Sequence, residues 1–358
     1  MKEEIRLMKG NEAIAHAAIR YGCDGYFGYP ITPQSEVPEY LSLHMPQHGK
    51  VFVQAESEVA AINMVYGGAA TGKAVMTSSS SPGVSLKQEG ISYIAAASLP
   101  ALILNVMRGG PGLGTIQPSQ ADYFQATKGG GHGDYHLIVL APSTVQEMVD
   151  FVGLGFDLAF KYTNPCMILA DGIVGQMMEK VQLPEQRPRR TEEQIREQCP
   201  WAADGRKGLR KRNVITSLEL ESSRMEVINE MLQKRYREIE KNETRWEEID
   251  VEGADYLIVA FGSIARISDK AREMAEEEGI KVGILRPITL WPFPTEAVRK
   301  AAEGKKGILV VELNAGQLIE DVRLAVHDSI PVEHFGRLGG IIPSPDEVVK
   351  ALKEKIIK

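Results

Sequence analysis

Cysteine is nearly absent from this sequence: Cys23, Cys166 and Cys199 are scattered along 358 positions with no CxxC pair and no clustered histidine. That scatter argues against a disulfide framework, and against a zinc or iron–sulfur site made by this chain alone. Small buried hydrophobes in a reducing compartment are the expected role. Long apolar runs are missing too. No stretch approaches the roughly 18 apolar residues that a membrane span needs, and the N-terminal Met1–Met8 is charged rather than signal-peptide-like. Nor is there an excess of positive charge, since 41 Lys and Arg face 48 Asp and Glu for a net −7. Nucleic acids and anionic membranes select basic surfaces, so neither is expected as the main partner. What remains is a cytoplasmic globular protein whose length suits two domains.

The first 175 or so residues alternate short apolar runs with longer amphipathic ones. Strands are expected at Gly25–Tyr29, Lys50–Gln54, Ala74–Ser78, Ala101–Met107, Leu137–Leu140 and Cys166–Leu169. Helices are expected from Asn11 as cap to about Tyr21, at Glu56–Gly72, near Gly83–Ala97 and at Thr144–Tyr162. Strands separated by helix-length segments imply a parallel sheet covered on both faces. The composition then changes. Leu183–Arg190 is rich in Pro and Arg, 205–212 is a basic loop, and Ser222–Asp250 is highly charged. Met225, Ile228, Leu232, Tyr236 and Ile239 nevertheless fall at helical spacing, which predicts a long amphipathic helix packed on a domain or a partner. The basic run suits a solvated loop or an acidic partner, with phosphate as the rarer use. From Ala254 the α/β rhythm resumes, with strands expected at Leu257–Ala260, Val282–Leu285, Ile308–Glu312 and Val332–Phe335. The division expected is therefore 1–177, a linker at 178–250, and a second domain at 251–358.

Ligands of open parallel sheets bind beyond the carboxyl ends of the strands. Past the strand ends of this chain come Tyr29-Pro30-Ile31-Thr32-Pro33, then Glu56-Ser57-Glu58, then Ser78 to Ser81 with Pro82-Gly83, then Arg108 with the loop Gly109 to Gly114, and finally Asp171-Gly172. A hydroxyl, a carboxylate, a serine cluster and a cation thus converge on one edge. Singly, each has a commoner structural role. Thr32 suits a helix cap, Glu56 and Glu58 a helix N-terminus, Arg108 a surface ion pair and the serines a plain turn. The glycine loop lacks the Lys-Ser/Thr ending of a P-loop and the spacing of a dinucleotide fingerprint.

Together these motifs closely resemble the α subunit of 2-oxoacid:ferredoxin oxidoreductases. The matching stretches are Tyr29–Pro33, Glu56-Ser57-Glu58 heading an Ala-rich helix, Thr77–Gly83 and Met107–Pro111 in the first part, then Leu285–Pro294 and Val311–Gln317 in the second. The resemblance covers nearly the whole chain, most loosely 178–250. Lys128–Tyr135 points to the branched-chain (2-oxoisovalerate) branch. The resemblance implies an α/β pyrimidine-binding domain of thiamine-diphosphate enzymes, a parallel sheet with helices on both faces, followed by a smaller α/β domain like the transketolase C-terminal domain.

It also implies roles. The glutamate matching Glu58 hydrogen-bonds the aminopyrimidine nitrogen of thiamine diphosphate and should be desolvated. The residues matching Thr32 and Pro30 line the cofactor. Thr32, Arg108 and Gln117 are the expected substrate side, an Arg fork suiting a 2-oxoacid carboxylate. CoA takes the acyl group and ferredoxin the electrons. Thiamine enzymes bind the diphosphate and magnesium through Gly-Asp-Gly and a later Asn. Gly133-Asp134-Tyr135 and Ala170-Asp171-Gly172 both depart from that pattern. Magnesium is therefore expected on a β subunit, and the iron–sulfur clusters on β or a ferredoxin-like δ subunit, with a γ subunit completing the complex. Three other readings stand beside this one. They are the α subunit of a 2-oxoglutarate:ferredoxin oxidoreductase, the β subunit of a lipoamide-linked 2-oxoacid dehydrogenase, and a non-catalytic nucleotide-binding or scaffold subunit.

Overall fold

The computed structural model describes residues 4–205, 212–327 and 329–357. The basic run expected at 205–212 therefore lies, save for its two ends, outside the described residues. The chain opens with β1 (Glu4–Lys9), α1 (Gly10–Arg20), β2 (Gly25–Gly28), α2 (Glu36–Gln47), β3 (Val51–Gln54), α3 (Glu58–Ala70), β4 (Val75–Ser79) and α4 (Ser81–Ala96). It continues with β5 (Leu102–Met107), α5 (Tyr123–Thr127), β6 (Ile138–Leu140), α6 (Val145–Tyr162), β7 (Cys166–Asp171) and α7 (Gly172–Gln176). Strands β2 to β7 form a parallel sheet in the order β6-β7-β5-β4-β2-β3. β4, β5 and β7 are buried along their whole length, as strands with both sheet faces covered must be.

The stretch read as a linker carries more structure than its composition suggests. β8 (Met178–Leu183) pairs antiparallel with β1 in a two-stranded ribbon. α8 (Glu192–Gln198) starts with a capping box between Thr191 and Gln194. α9 (Ser222–Glu243) buries Leu232, Tyr236 and Ile239, and Tyr236 meets the rings of His136 and Trp291 edge-on. The amphipathic helix thus packs on this chain. β9 (Trp246–Ile249) then joins the second sheet as an antiparallel edge strand.

The second sheet has the order β14-β13-β10-β11-β9 and is built from β10 (Tyr256–Ala260), β11 (Val282–Pro287), β13 (Gly307–Glu312) and β14 (Val332–Gly336) besides β9. Its helices are α10 (Gly262–Glu277), α11 (Thr295–Ala302), α12 (Leu318–Val326) and α13 (Pro345–Leu352). Between β11 and α11, the short β12 (Thr289–Trp291) crosses over and pairs antiparallel with β6 of the first sheet. The architecture is α/β, two largely parallel sheets covered by helices.

Asn11 does not cap α1, as its place in the sequence suggested. The cap position is Lys9, and the Asn11 amide donates instead to the Pro33 carbonyl at 2.7 Å and to Glu36 at 2.8 Å. It ties the Tyr29–Pro33 loop to the first helix. Close helix packing then sets the edge geometry. A β-carbon on Gly90 would lie 2.5 Å from the Ile62 side chain, so α4 can approach α3 only because that position has none. The same approach brings the N-terminus of α3 against the first turn of α4.

Candidate active site

Glu58 is the first residue of α3, just beyond β3. Its neighbour Ser57 caps the helix, accepting from the Ala60 N–H at 3.2 Å. Glu58 is 6% exposed, and its Oε1 lies where a β-carbon on Gly83 would fall, at 2.7 Å. Five carboxylates are buried among the described residues: Glu58, Asp171, Glu243, Glu312 and Asp321. Four of them are bonded within the chain. Asp171 accepts from the Ile173, Val174 and Ser263 N–H groups and the Ser263 hydroxyl. Glu243 accepts from Lys161, Tyr162 and Arg245. Glu312 takes the backbone N–H groups that open α12, and Asp321 takes Tyr123 and Lys128. Glu58 alone receives no hydrogen bond from the described residues. With no internal donor and not sealed from solvent, its oxygens stay free to accept from a ligand.

Arg108 follows β5 and is 8% exposed. Its guanidinium donates to the Thr32 carbonyl at 2.9 Å and the Leu113 carbonyl at 3.0 Å, while Nε is buried without a partner. No carboxylate of the described residues pairs with it, so the surface ion pair is not its role. The contact brings Arg108 and Thr32 together through the Thr32 backbone, and leaves the Thr32 side chain exposed next to a cis Thr32–Pro33 peptide. Thr32 therefore does not cap α2. That position belongs to Ser35. Pro30 is exposed on the same loop. Gln117 is exposed too, across a cavity of about 650 Å³ that it shares with Thr32, Ile116, Ile173, Met177 and Ile342.

The serine run is not a plain turn. Ser78 bonds the Tyr26 hydroxyl and Gln34, whereas Ser79 and Ser80 are buried with unpartnered hydroxyls. The Ser81 hydroxyl donates to Asp122 at 2.6 Å and accepts from the Arg108 N–H at 3.0 Å, which couples α4 to the Arg108 strand end. Asn105 also donates to Asp122 at 2.9 Å, and burial pushes the Asp122 carboxyl up. Asp122 and Asn105 escaped the sequence reading because their partners lie 41 and 17 positions away. Asp171 is not a degenerate diphosphate motif at work. It accepts from the Ser263 N–H and hydroxyl, and Gln120, which donates to it at 3.4 Å, also donates to the Phe261 carbonyl at 2.8 Å, so both tie the first sheet to the start of α10. Among the described residues, no group of three or more His, Cys, Asp or Glu is placed to hold a metal ion. All three cysteines are free and buried, and burial pushes the Cys23 thiol up to about 12.

An open buried carboxylate, buried unpartnered hydroxyls and an uncompensated guanidinium fit a nitrogenous ring and an anion. Residues 16–249 match the family model of the thiamine diphosphate-binding region of pyruvate flavodoxin/ferredoxin oxidoreductase, and 254–348 match pyruvate:ferredoxin oxidoreductase core domain II. The chain belongs to the 2-oxoacid:ferredoxin oxidoreductase family. The ketoisovalerate oxidoreductase subunit VorB of Methanothermobacter marburgensis is 49% identical over 98% of this chain and 97% of its own. The 2-oxoglutarate synthase subunit KorA of Archaeoglobus fulgidus is 37% identical over 94% and 96%. Among solved structures, the 2-oxoglutarate:ferredoxin oxidoreductase from Magnetococcus marinus, with 2-oxoglutarate, coenzyme A and succinyl-CoA bound, superposes with a TM-score of 0.87 at 29% identity. That match covers 99% of this chain and 66% of the neighbour's, so this chain spans just under two thirds of that oxidoreductase chain. No helix among the described residues is long and apolar enough to cross a membrane.

Proposed function

We propose that this chain is the α subunit of a cytoplasmic, ferredoxin-dependent oxidoreductase that converts a branched-chain 2-oxoacid, 3-methyl-2-oxobutanoate, and CoA to acyl-CoA and CO2. The observation that carries the proposal is Glu58, the buried carboxylate with no hydrogen bond from the described residues. Glu58 would accept a hydrogen bond from the pyrimidine ring of thiamine diphosphate, which Pro30 and Thr32 would help to hold. Thiamine diphosphate, when bound, supplies the carbanion chemistry. Arg108 offers its buried positive charge to the substrate carboxylate, held in place by the Thr32 and Leu113 carbonyls. Thr32 and Gln117 face the rest of the substrate.

The diphosphate and magnesium belong to a β subunit in this reading, because neither Gly133-Asp134-Tyr135 nor Ala170-Asp171-Gly172 has the required pattern and Asp171 is saturated. The clusters belong to β or a ferredoxin-like δ subunit, with γ completing the assembly and ferredoxin taking the electrons.

The higher identity to a ketoisovalerate enzyme supports the branched-chain substrate. So does the cavity beside Thr32. Its lining includes Ile116, Ile173, Met177 and Ile342 and one charged side chain, Glu36. The second reading, 2-oxoglutarate, draws on the 2-oxoglutarate synthase relatives and the solved enzyme. It needs a second cation for the distal carboxylate, and that lining has none.

A substrate panel on the purified complex tests the assignment. 3-Methyl-2-oxobutanoate is expected to exceed 2-oxoglutarate in kcat/KM by about tenfold or more, roughly what a mismatched apolar pocket enforces. Equal turnover would sink the branched-chain reading. Glu58→Gln is expected to abolish 2-oxoacid oxidation while the complex still assembles. Arg108→Met is expected to lower kcat/KM by about 100-fold, the value of a lost charge-assisted bond of roughly 3 kcal/mol.

A further inference from the structure

Behind Glu58 lies a charge that this scheme leaves unused. Lys87 sits one turn after Gly83 on α4 and is 0% exposed. Its ammonium donates to Thr77 Oγ1 at 2.7 Å and to the Ser78 carbonyl at 2.9 Å. No carboxylate of the described residues forms an ion pair with it. A wholly buried lysine without such a partner is rare and costly, and costly titratable groups gather where chemistry needs them.

The geometry joins it to Glu58. Residues four apart on a helix share a face, so Gly83 and Lys87 both turn toward the end of β4. Glu58 Oε1 rests over Gly83, and Lys87 is anchored to β4 one turn further on. The groups around the ammonium are few. α3 contributes Glu58, and β4 contributes the Thr77 hydroxyl and the Ser78 carbonyl. The Tyr26 phenol of β2, pushed up by burial, bonds the hydroxyl of Ser78, whose carbonyl Lys87 holds. The carboxyl of Asp122, pushed up by burial, binds the first turn of α4 through Ser81. Burial brings Lys87 down to about 7, and the Glu58 carboxylate is the charge that acts against this.

We infer that Lys87 is a positioning residue for Glu58: its ammonium keeps the proton that Glu58 shares with a bound aminopyrimidine on the ring nitrogen rather than on the carboxylate. The inference rests on the reading of Glu58 given above. Lys87 is held on β4 by Thr77 and Ser78, so an aminopyrimidine reaching Glu58 from the side away from β4 would stand further from the ammonium than the carboxylate does, and a proton on its ring nitrogen would be repelled less than one on Glu58. The same charge attracts the ionised carboxylate.

Two measurements test this. In the full chain alone, unfolded lysine binds its proton to higher pH than buried Lys87, so stability rises with pH above about 7. Glu58→Gln removes the charge that holds the proton on Lys87. The rise is expected to begin lower by about half a pH unit or more. An unchanged onset overturns the coupling. The second measurement uses the complex assembled with its partner subunits and loaded with thiamine diphosphate. Its readout is the near-ultraviolet circular dichroism band of the tautomer that carries the proton on the ring nitrogen. Lys87→Gln keeps donors for Thr77 and Ser78 but no charge, and Lys87→Met keeps neither. At about pH 6 both variants are expected to lose roughly threefold or more of the band, with the thiamine diphosphate Kd changed less than about threefold. A full band in Lys87→Gln overturns the proposal, whether or not Lys87→Met loses it, because an uncharged donor then suffices. A wild-type complex that binds thiamine diphosphate without the band overturns the reading of Glu58 as well.

Discussion

The residues that matter most here are those whose bonding is incomplete. Among the described residues, Glu58 is buried and receives no hydrogen bond, Arg108 is buried and unneutralised, and Lys87 is buried with no ion pair. Lys87 has a cost that can be measured. Its folded pKa is depressed, so the penalty of burying the ammonium is complete below about pH 7 and fades as pH climbs toward that of free lysine. Lys87→Met is expected to flatten this rise in stability between pH 7 and 10, read from chemical denaturation at several pH values; a variant with the wild-type slope would show that another group titrates there. Gly83 belongs to the same cluster. A methyl group there would lie 2.1 Å from Ser79 Oγ and 2.7 Å from Glu58 Oε1. Gly83→Ala is expected to cost about 1–3 kcal/mol by overpacking and to displace the carboxylate, so thiamine diphosphate binding by the complex should weaken.

Elements place these residues, and helix starts do most of that work. α3 begins at Glu58 because Ser57 caps it, and α4 begins within the serine cluster beside Asn105. α6 offers a control at the β6 end of the parallel sheet, opposite the β3 that precedes Glu58. Its cap Thr144 accepts from the Glu147 N–H at 3.1 Å. Thr144→Ala is expected to lower stability by about 1 kcal/mol with the KM for 2-oxoacid unchanged. A changed KM would mean that α6 communicates with the site. Period-2 and period-3.6 patterns made most elements legible, since β4, β5 and β7 are continuous buried runs and α9 carries its stripe at Leu232, Tyr236 and Ile239. β1, β8, β9 and β12 escaped notice. They are short or charged edge strands whose identity depends on the strand they meet, not on their own pattern.

At the scale of the molecule, the two sheets are interlocked. β12 leaves the second half of the chain to pair with β6, Asp171 caps α7 and binds Ser263 at once, and Gln317 bonds Ala121 and Phe124. Arg286 reaches Glu147 with two bonds of 2.9 and 2.7 Å and Glu247 with one of 2.7 Å. Arg286 is buried while Glu147 is only partly so, which puts Arg286→Met near the lower end of the cost of breaking a buried pair, about 3 kcal/mol. The isolated chain is expected to unfold in a single calorimetric transition, and this variant at a lower Tm. Two separated transitions in the wild type would contradict the interlock.

Chemical character was set by the sequence alone: an acidic, cysteine-poor α/β chain, its strand ends followed by Thr32, Glu58, the serines and Arg108, and no diphosphate motif. Local periodicity and residue type suffice for that, because they act within a few positions of the chain. What each group does was decided only by the tertiary structure. Asp171 became a clasp through Ser263, 92 positions on; Asn11 left its cap for Pro33, 22 positions on; and Glu58 stayed open while four other buried carboxylates were filled. Hydrogen-bond partners and burial are settled by which distant segments meet, and a one-dimensional pattern carries no record of that meeting.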